Sequence, residues 1–251
     1  MPFDRDLLLF GAKRHAVLEL DEIHGYGFDS YQDPDYVSIY GLRPSQAYGM
    51  GVRMLGRTAV ECTRDDLASA IATDVAALVA QGGWGSQLVI DPFAGSGNTL
   101  YWLLRKLPGA RAIAFENGPL VHELSAKNLA LLDLPLRLEC LDWASGLEHI
   151  RAAPGELVLA FIAPPWGRAL DATLGLDLER TEPPVAHIVD SFMRHFEANP
   201  MLFAIQVHER VEPESLARLV SRFDAFEHKV YALNRAGQNH GTLIGCVGWT
   251  P

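Results

Sequence analysis

Cysteine is scarce: Cys62, Cys140 and Cys246 are odd in number, far apart and without a C-x-x-C pair in 251 residues. A disulfide framework and a cysteine zinc site both fall away, and a reducing cytoplasm is the expected compartment. No two histidines have zincin spacing, so no catalytic metal is expected. Long apolar runs are missing too. The run Leu7-Leu8-Leu9-Phe10 lies between Asp6 and Lys13, too short for a signal-peptide core or a membrane span, so no targeting segment and no membrane partner are expected. Basic charge is in short supply: 21 Lys and Arg against 31 Asp and Glu leave a formal charge of −10. The basic residues gather no further than Lys13-Arg14 and Arg105-Lys106. A long nucleic acid is therefore a disfavoured partner, while a nucleotide-sized one is allowed.

What is present suits a soluble globular protein of one to two domains, with 49% hydrophobic and 21% charged residues. Residues 1–62 stand apart. They hold five of the seven tyrosines, Tyr26, Tyr31, Tyr36, Tyr40 and Tyr48, among Gly, Asp and Pro, and read as an irregular extension. These rings either pack the extension onto the main domain or form a substrate lid, in which case Tyr26 and Tyr31 would meet the substrate. In the remainder, 63–251, Thr63 with Asp66 opens a helix whose apolar face is Leu67, Ile71, Val75 and Leu78, closed by Gly82-Gly83. β-rich runs at 88–90, 112–115, 136–141, 157–162 and 201–207 then alternate with helical stretches. Pro119, a Ser145/Glu148 capping box, Pro183 or Pro184, and Pro213 with Glu214 mark the helix starts. Alternating strand and helix predict an α/β, doubly wound, mostly parallel sheet. The runs 228–233 and 242–249, joined by a polar loop 234–241, add a C-terminal hairpin with one antiparallel strand at or near the edge.

The segment Asp91-Pro92-Phe93-Ala94-Gly95-Ser96-Gly97-Asn98 lies between the first strand and the next helix. Small residues there let backbone N–H groups approach a ligand, and a helix start favours an anionic group such as a carboxylate. Glu116, 19 residues beyond Gly97, ends the second strand, where a carboxylate can accept both hydroxyls of a ribose. Asp142 follows the third strand and can face an adenine amine, and Pro164-Pro165-Trp166-Gly167 follows the fourth. All four meet at the carboxyl ends of strands, where open α/β sheets bind ligands. Leu100 stands where a dinucleotide fingerprint needs its third Gly, and Asp91 would repel a pyrophosphate while favouring a cation. S-adenosylmethionine combines a sulfonium, an ammonium, a carboxylate, a ribose and an adenine, and is the expected cofactor, with S-adenosylhomocysteine as product.

Asp91 to Gly97 resembles the first motif of class I methyltransferases that act on amino groups, and Ala163-Pro164-Pro165-Trp166-Gly167 resembles their D/N/S-P-P-Y/F/W motif. The Trp form, with Gly after it and Asn98 after the glycine loop, is most similar to the trimethylguanosine synthases, the RNA cap guanine-N2 methyltransferases. The resemblance implies a seven-stranded Rossmann-like sheet with the last strand reversed. It implies cofactor contacts from Asp91, Pro92, Phe93, Ala94, Gly95, Gly97 and Asn98, from Glu116 with Asn117, and from Asp142 with Trp143. It also implies that Ala163, Pro164, Pro165 and Trp166 hold the acceptor at the point of transfer. Two positions depart from the family: Ala163 replaces its Ser and Arg168 its second Gly, so backbone carbonyls take over the accepting role.

Methyl transfer from sulfur to nitrogen is an in-line displacement, so positioning is the main task. A Pro-Pro pair fixes the backbone and leaves carbonyls free to meet an amine, and Trp166 can stack on a flat base. The connection 168–182 is long enough to cover the acceptor. His208 and Glu209 end the fifth strand at the same edge, and Asn239 and His240 enter from the hairpin. The expected function is N-methylation of a small purine-like or other heteroaromatic acceptor, held by Trp166, Gly167 and His208. The alternatives are an RNA or DNA amino methyltransferase, an O- or C-methyltransferase using His208 as base, and a non-catalytic S-adenosylmethionine-binding regulator.

Overall fold

A computed structural model describes residues 4–132, 134, 136–171, 173–233 and 240–251. The N-terminal segment carries four helices rather than being irregular throughout: α1 (Arg5–Leu9), α2 (Leu20–Tyr31), α3 (Pro44–Gly49) and α4 (Gly56–Glu61). Each is short, and tertiary burial rather than propensity holds it, since isolated helices of this length are marginal in water. Leu8, Leu18, Ile23, Tyr26, Ile39, Tyr40 and Val52 form their own apolar cluster, which Leu129 of the main domain joins. At about 1.5–3 kcal/mol per fully buried large apolar side chain, this cluster outweighs the weak helical tendency of its Gly and Tyr residues.

The main domain begins with α5 (Asp65–Gln81) and then alternates: β1 (Gln87–Asp91), α6 (Asn98–Lys106), β2 (Arg111–Phe115), α7 (Pro119–Ala130), β3 (Leu136–Glu139), α8 (Trp143–Leu147) and β4 (Leu157–Ile162). A two-stranded hairpin, β5 (Leu170–Asp171) and β6 (Gly175–Leu176), lies inside the long connection and precedes α9 (Val185–His195), β7 (Met201–His208) and α10 (Pro213–Val220). The chain closes with β8 (Ala225–Tyr231) and β9 (His240–Val247). The main sheet has seven strands in the order β3-β2-β1-β4-β7-β9-β8. Only β9 is reversed: it pairs antiparallel with both β7 and β8, and so lies one strand in from the edge.

β1 and β4 are buried at every residue because helices cover both faces. Val89, Leu159 and Leu202 pack toward α5 and α6, whereas Ile90, Ala160 and Phe203 pack toward α8 and α9. Two helix starts differ from expectation. Thr63 does not cap α5; Arg64 stands at that position, and the Thr63 hydroxyl bonds Gln206 Oε1 at 2.7 Å. Ser145 lies inside α8, which Asp142 caps by accepting the Ala144 N–H at 3.0 Å. Asn239 and most of the polar loop lie outside the described residues. Among the described residues no helix is long and apolar enough to cross a membrane, and no group of His, Cys, Asp and Glu is disposed to hold a metal ion.

Candidate active site

β1 delivers Asp91 to the carboxyl edge of the sheet, where Asp91 Oδ1 accepts the Phe93 N–H at 2.9 Å and starts the turn. The loop is tied to the neighbouring strand by Ala94 N–H to Phe115 O at 2.9 Å, and closes on itself by Gly97 N–H to Ala94 O at 2.7 Å. Gly95 and Gly97 have φ of +51° and +75°, the left-handed region that other residues enter only at a cost. They serve different ends. A Cβ on Gly97 would stand 3.1 Å from Leu129 Cδ1, so this glycine lets the loop pack on α7. A Cβ on Gly95 would meet nothing within 4 Å, so that side of the loop is open to a ligand.

Two carboxylates flank this loop. Asp91 is 1% exposed, and burial pushes its pKa up to about 7; the Phe93 N–H works against the shift and the Glu116 charge adds to it. Glu116, half-buried after β2, accepts Gly118 N–H through Oε1 at 2.6 Å and Gly95 N–H through Oε2 at 3.2 Å. Asn117 and Asp142 are exposed, and Trp143 is buried with its ring 6.2 Å from that of Phe93. Pro92, Ala94 and Ser96 are buried within the loop.

Asn98 is committed elsewhere. Its Oδ1 accepts the Tyr40 N–H and its Nδ2 donates to Thr63 O, each at 2.7 Å, while Tyr40 Oη donates to Ser96 O. The side chain therefore clamps the glycine loop to the N-terminal helices instead of facing the opening. Asn98→Ala removes two bonds in a buried setting and is expected to cost about 3 kcal/mol in chemical denaturation, with limited proteolysis releasing the N-terminal segment first.

The acceptor side is built after β4. Pro164 is buried, Pro165 and Gly167 are exposed, and Trp166 is half-buried. Trp166 O accepts the Ala169 N–H at 2.8 Å, and Gly167 has φ +52° with open space where a Cβ would be. This tight turn sends the chain away and leaves the indole standing. Its ring lies 5.7 Å from His240, tilted by 34°, and 6.2 Å from His208, nearly perpendicular. His208 Nδ1 accepts the Arg210 N–H at 3.1 Å, so the neutral ring carries its proton on Nε2 and offers a donor rather than a base. Burial pushes the His240 pKa down to about 4, and the Arg64 charge adds to this. The hairpin after Trp166 docks beside these residues through Leu176 N–H to Arg210 O and Glu212 N–H to Leu176 O, both 2.9 Å.

The two expected tyrosines differ in their setting. Tyr26 is 1% exposed and belongs to the N-terminal core, presenting no surface to a substrate. Tyr31 stacks on Tyr36, with centroids 3.4 Å apart, and Tyr36 in turn lies 3.8 Å under the Arg64 guanidinium. Arg64 and Tyr36 thus reach the edge that sequence reasoning assigned to Tyr26, and no motif surrounds either of them. A separate groove of about 630 Å³, lined by Leu88, Arg111, Ile113 and Arg137, opens from the strand faces near their amino ends, away from this edge.

No family model matches the sequence, and no curated protein matches it. Solved structures do. A Listeria monocytogenes protein described as a class I S-adenosylmethionine-dependent methyltransferase is similar over 75% of this chain and 62% of its own, at 16% identity and a TM-score of 0.53. The N-terminal domain of human METTL16 is similar over 71% of this chain and 68% of its own, at 14% identity and a TM-score of 0.50. The protein has the class I methyltransferase fold. In this fold, as in other open α/β sheets, the crevice outside the strand carboxyl ends is the place for a ligand. The residues there fit S-adenosylmethionine: a glycine loop with open space beside Gly95, a buried acid short of a cation at Asp91, and a carboxylate after β2.

Proposed function

We propose that the protein is an S-adenosylmethionine-dependent N-methyltransferase acting on a nitrogen of a small heteroaromatic acceptor. The observation that carries this reading is the meeting, at one edge of the sheet, of an open glycine loop and an indole standing on a Pro-Pro turn. S-adenosylmethionine, when bound, supplies an activated methyl group. Asp91 would face its positive charge, Glu116 its ribose and Asp142 its adenine. Phe93 and Trp143 form an apolar wall beside them.

The protein's own work is positioning. The carbonyls of Ala163 and Pro164 can accept the acceptor's N–H bonds and stabilise positive charge as it grows on that nitrogen. Trp166 fixes the plane of the ring, which aligns the lone pair. His208 presents Nε2–H, suited to a ring nitrogen or carbonyl that accepts, which favours an amine acceptor over a hydroxyl needing a base. A formal charge of −10 disfavours a polyanion and supports a small acceptor.

Calorimetric titration with S-adenosylmethionine and S-adenosylhomocysteine, followed by labelled-methyl transfer to heteroaromatic amines and short RNAs, tests the reading. Micromolar cofactor binding with transfer to the small amines is the expected result; binding without any transfer would favour the regulator, and transfer to RNA alone would replace the small acceptor. Glu116→Ala is expected to weaken cofactor binding about 30-fold, on the order of 2 kcal/mol, through loss of the ribose acceptors.

A further inference from the structure

Arg64 stands out among the arginines. Arg57, Arg111, Arg218 and Arg222 each hold a carboxylate oxygen within 2.5–2.7 Å. The Arg64 side chain is only 11% exposed, yet its nearest carboxylate oxygen, Asp66 Oδ1, is 3.8 Å away. Among the described residues its guanidinium makes no hydrogen bond, and it lies over the Tyr36 ring at 3.8 Å. A guanidinium has five N–H donors in a fixed fork, and leaving them unmet in a nearly buried position is costly. Such a group is suited to a ligand that arrives with its own oxygens.

Its location says which ligand. Arg64 adjoins Leu67, Tyr231 and His240, and the His240 ring is the one tilted against Trp166. The guanidinium therefore borders the same shelf on which a flat acceptor would stack. The acidic groups nearby do not satisfy it. Asp65 is turned away, accepting Trp102 Nε1–H at 2.7 Å and Gly41 N–H at 3.0 Å, and the exposed Asp66 pairs with Arg64 only at 3.8 Å, beyond hydrogen-bond reach. Glu209, which with Asp66 acts on His240 electrostatically, follows β7 and has interactions of its own. His240 stays neutral and so leaves Arg64 as the positive centre of this corner.

We propose that Arg64 binds an anionic substituent of the acceptor, so that the acceptor is a small heteroaromatic amine bearing a carboxylate or a phosphate. This rests on the methyl-acceptor reading of the Trp166 shelf. The planar fork matches the two oxygens of either anion, and the ring of the same molecule would occupy the indole. One nearly buried cation within a protein of charge −10 favours a small anion over a long polyanion.

The test uses matched pairs differing only in the anion: an aminopyridine against its carboxylate, and adenosine and guanosine against their 5′-monophosphates. Binding of each to the full chain is measured by calorimetry, with and without S-adenosylhomocysteine, and methyl transfer is read in parallel. The charged member of at least one pair is expected to bind about 10- to 100-fold more tightly, the preference shrinking with added salt. The carboxylate and phosphate series identify which anion is used. Arg64→Gln should remove the preference, and Arg64→Lys should retain part of it; thermal melts confirm folding of both. Equal binding within every pair, no binding of any member, a preference that survives Arg64→Gln, or recognition only of RNA would overturn the proposal. Failure of the protein to bind the cofactor would instead overturn the methyltransferase reading, since the anion preference is also measured without it.

Discussion

Asp91→Asn is expected to make the protein more stable and nearly unable to bind its cofactor. The native carboxyl has a pKa of about 7 because it is buried, against 3.8 ordinarily. A pKa raised in the folded state means that ionisation opposes folding. The penalty is absent below pH 4, grows as pH rises from about 4 to 7, and is constant above 7. At pH 8 it amounts to about 4 kcal/mol at most. Asparagine keeps the oxygen that accepts the Phe93 N–H and never ionises, so its melting temperature should exceed the wild type's by on the order of 10 °C at pH 8 and by nothing at pH 4. Cofactor affinity should fall about 1000-fold, because a cation would then enter a desolvated site with no counter-charge. Wild-type affinity should itself rise about 50-fold between pH 5 and 7, as binding selects the ionised carboxyl. Calorimetry and thermal melts across pH check all three. A variant no more stable than the wild type at pH 8 would show that Asp91 is not held at a cost in the free protein.

The legibility of this fold follows from which forces are local. β1, β4 and β7 lie within a residue of the ends the sequence predicts because a strand buried on both faces needs a nearly unbroken apolar run, and such runs are visible directly; β2 is bounded as closely although only its last two residues are buried. Positions at the strand ends followed from these, which is why the glycine loop, Glu116 and Trp166 could be assigned to one edge. The reversed strand at or near the edge was legible from the hairpin, but which strands flank it was not, because insertion of β9 between β7 and β8 depends on long-range pairing. The N-terminal helices escaped notice because tyrosine and glycine blur the apolar stripe, and burial of Tyr26 and Tyr40 supplies what periodicity lacks. Asn98 fits the glycine motif in sequence, yet its bonds to Tyr40 and Thr63 span 58 and 35 residues. Arg64 had no local signature at all: that its guanidinium makes no hydrogen bond among the described residues is visible only in the folded arrangement.

Trp166→Ala should separate acceptor use from everything else the site does. The indole is half-buried and contacts the apolar core with only part of its surface, so truncation is expected to lower stability by about 1–2 kcal/mol and leave the chain folded. No cofactor-facing group in β1, β2 or the glycine loop depends on it for a hydrogen bond, so the affinity for S-adenosylmethionine should change less than threefold. The acceptor loses its stacking partner, worth about 1–3 kcal/mol. It also loses the plane that aligns its nitrogen, and a small misplacement of a reacting atom costs on the order of 100-fold in rate. Together these predict a fall in kcat/KM of about 1000-fold, divided between KM and kcat, while Trp166→Phe recovers much of the stacking and part of the alignment. The split distinguishes a stacking platform from a packing residue. Loss of folding and of cofactor binding together would place Trp166 in the core, whereas an unchanged kcat with a raised KM would assign it to binding alone and leave alignment to the carbonyls of Ala163 and Pro164.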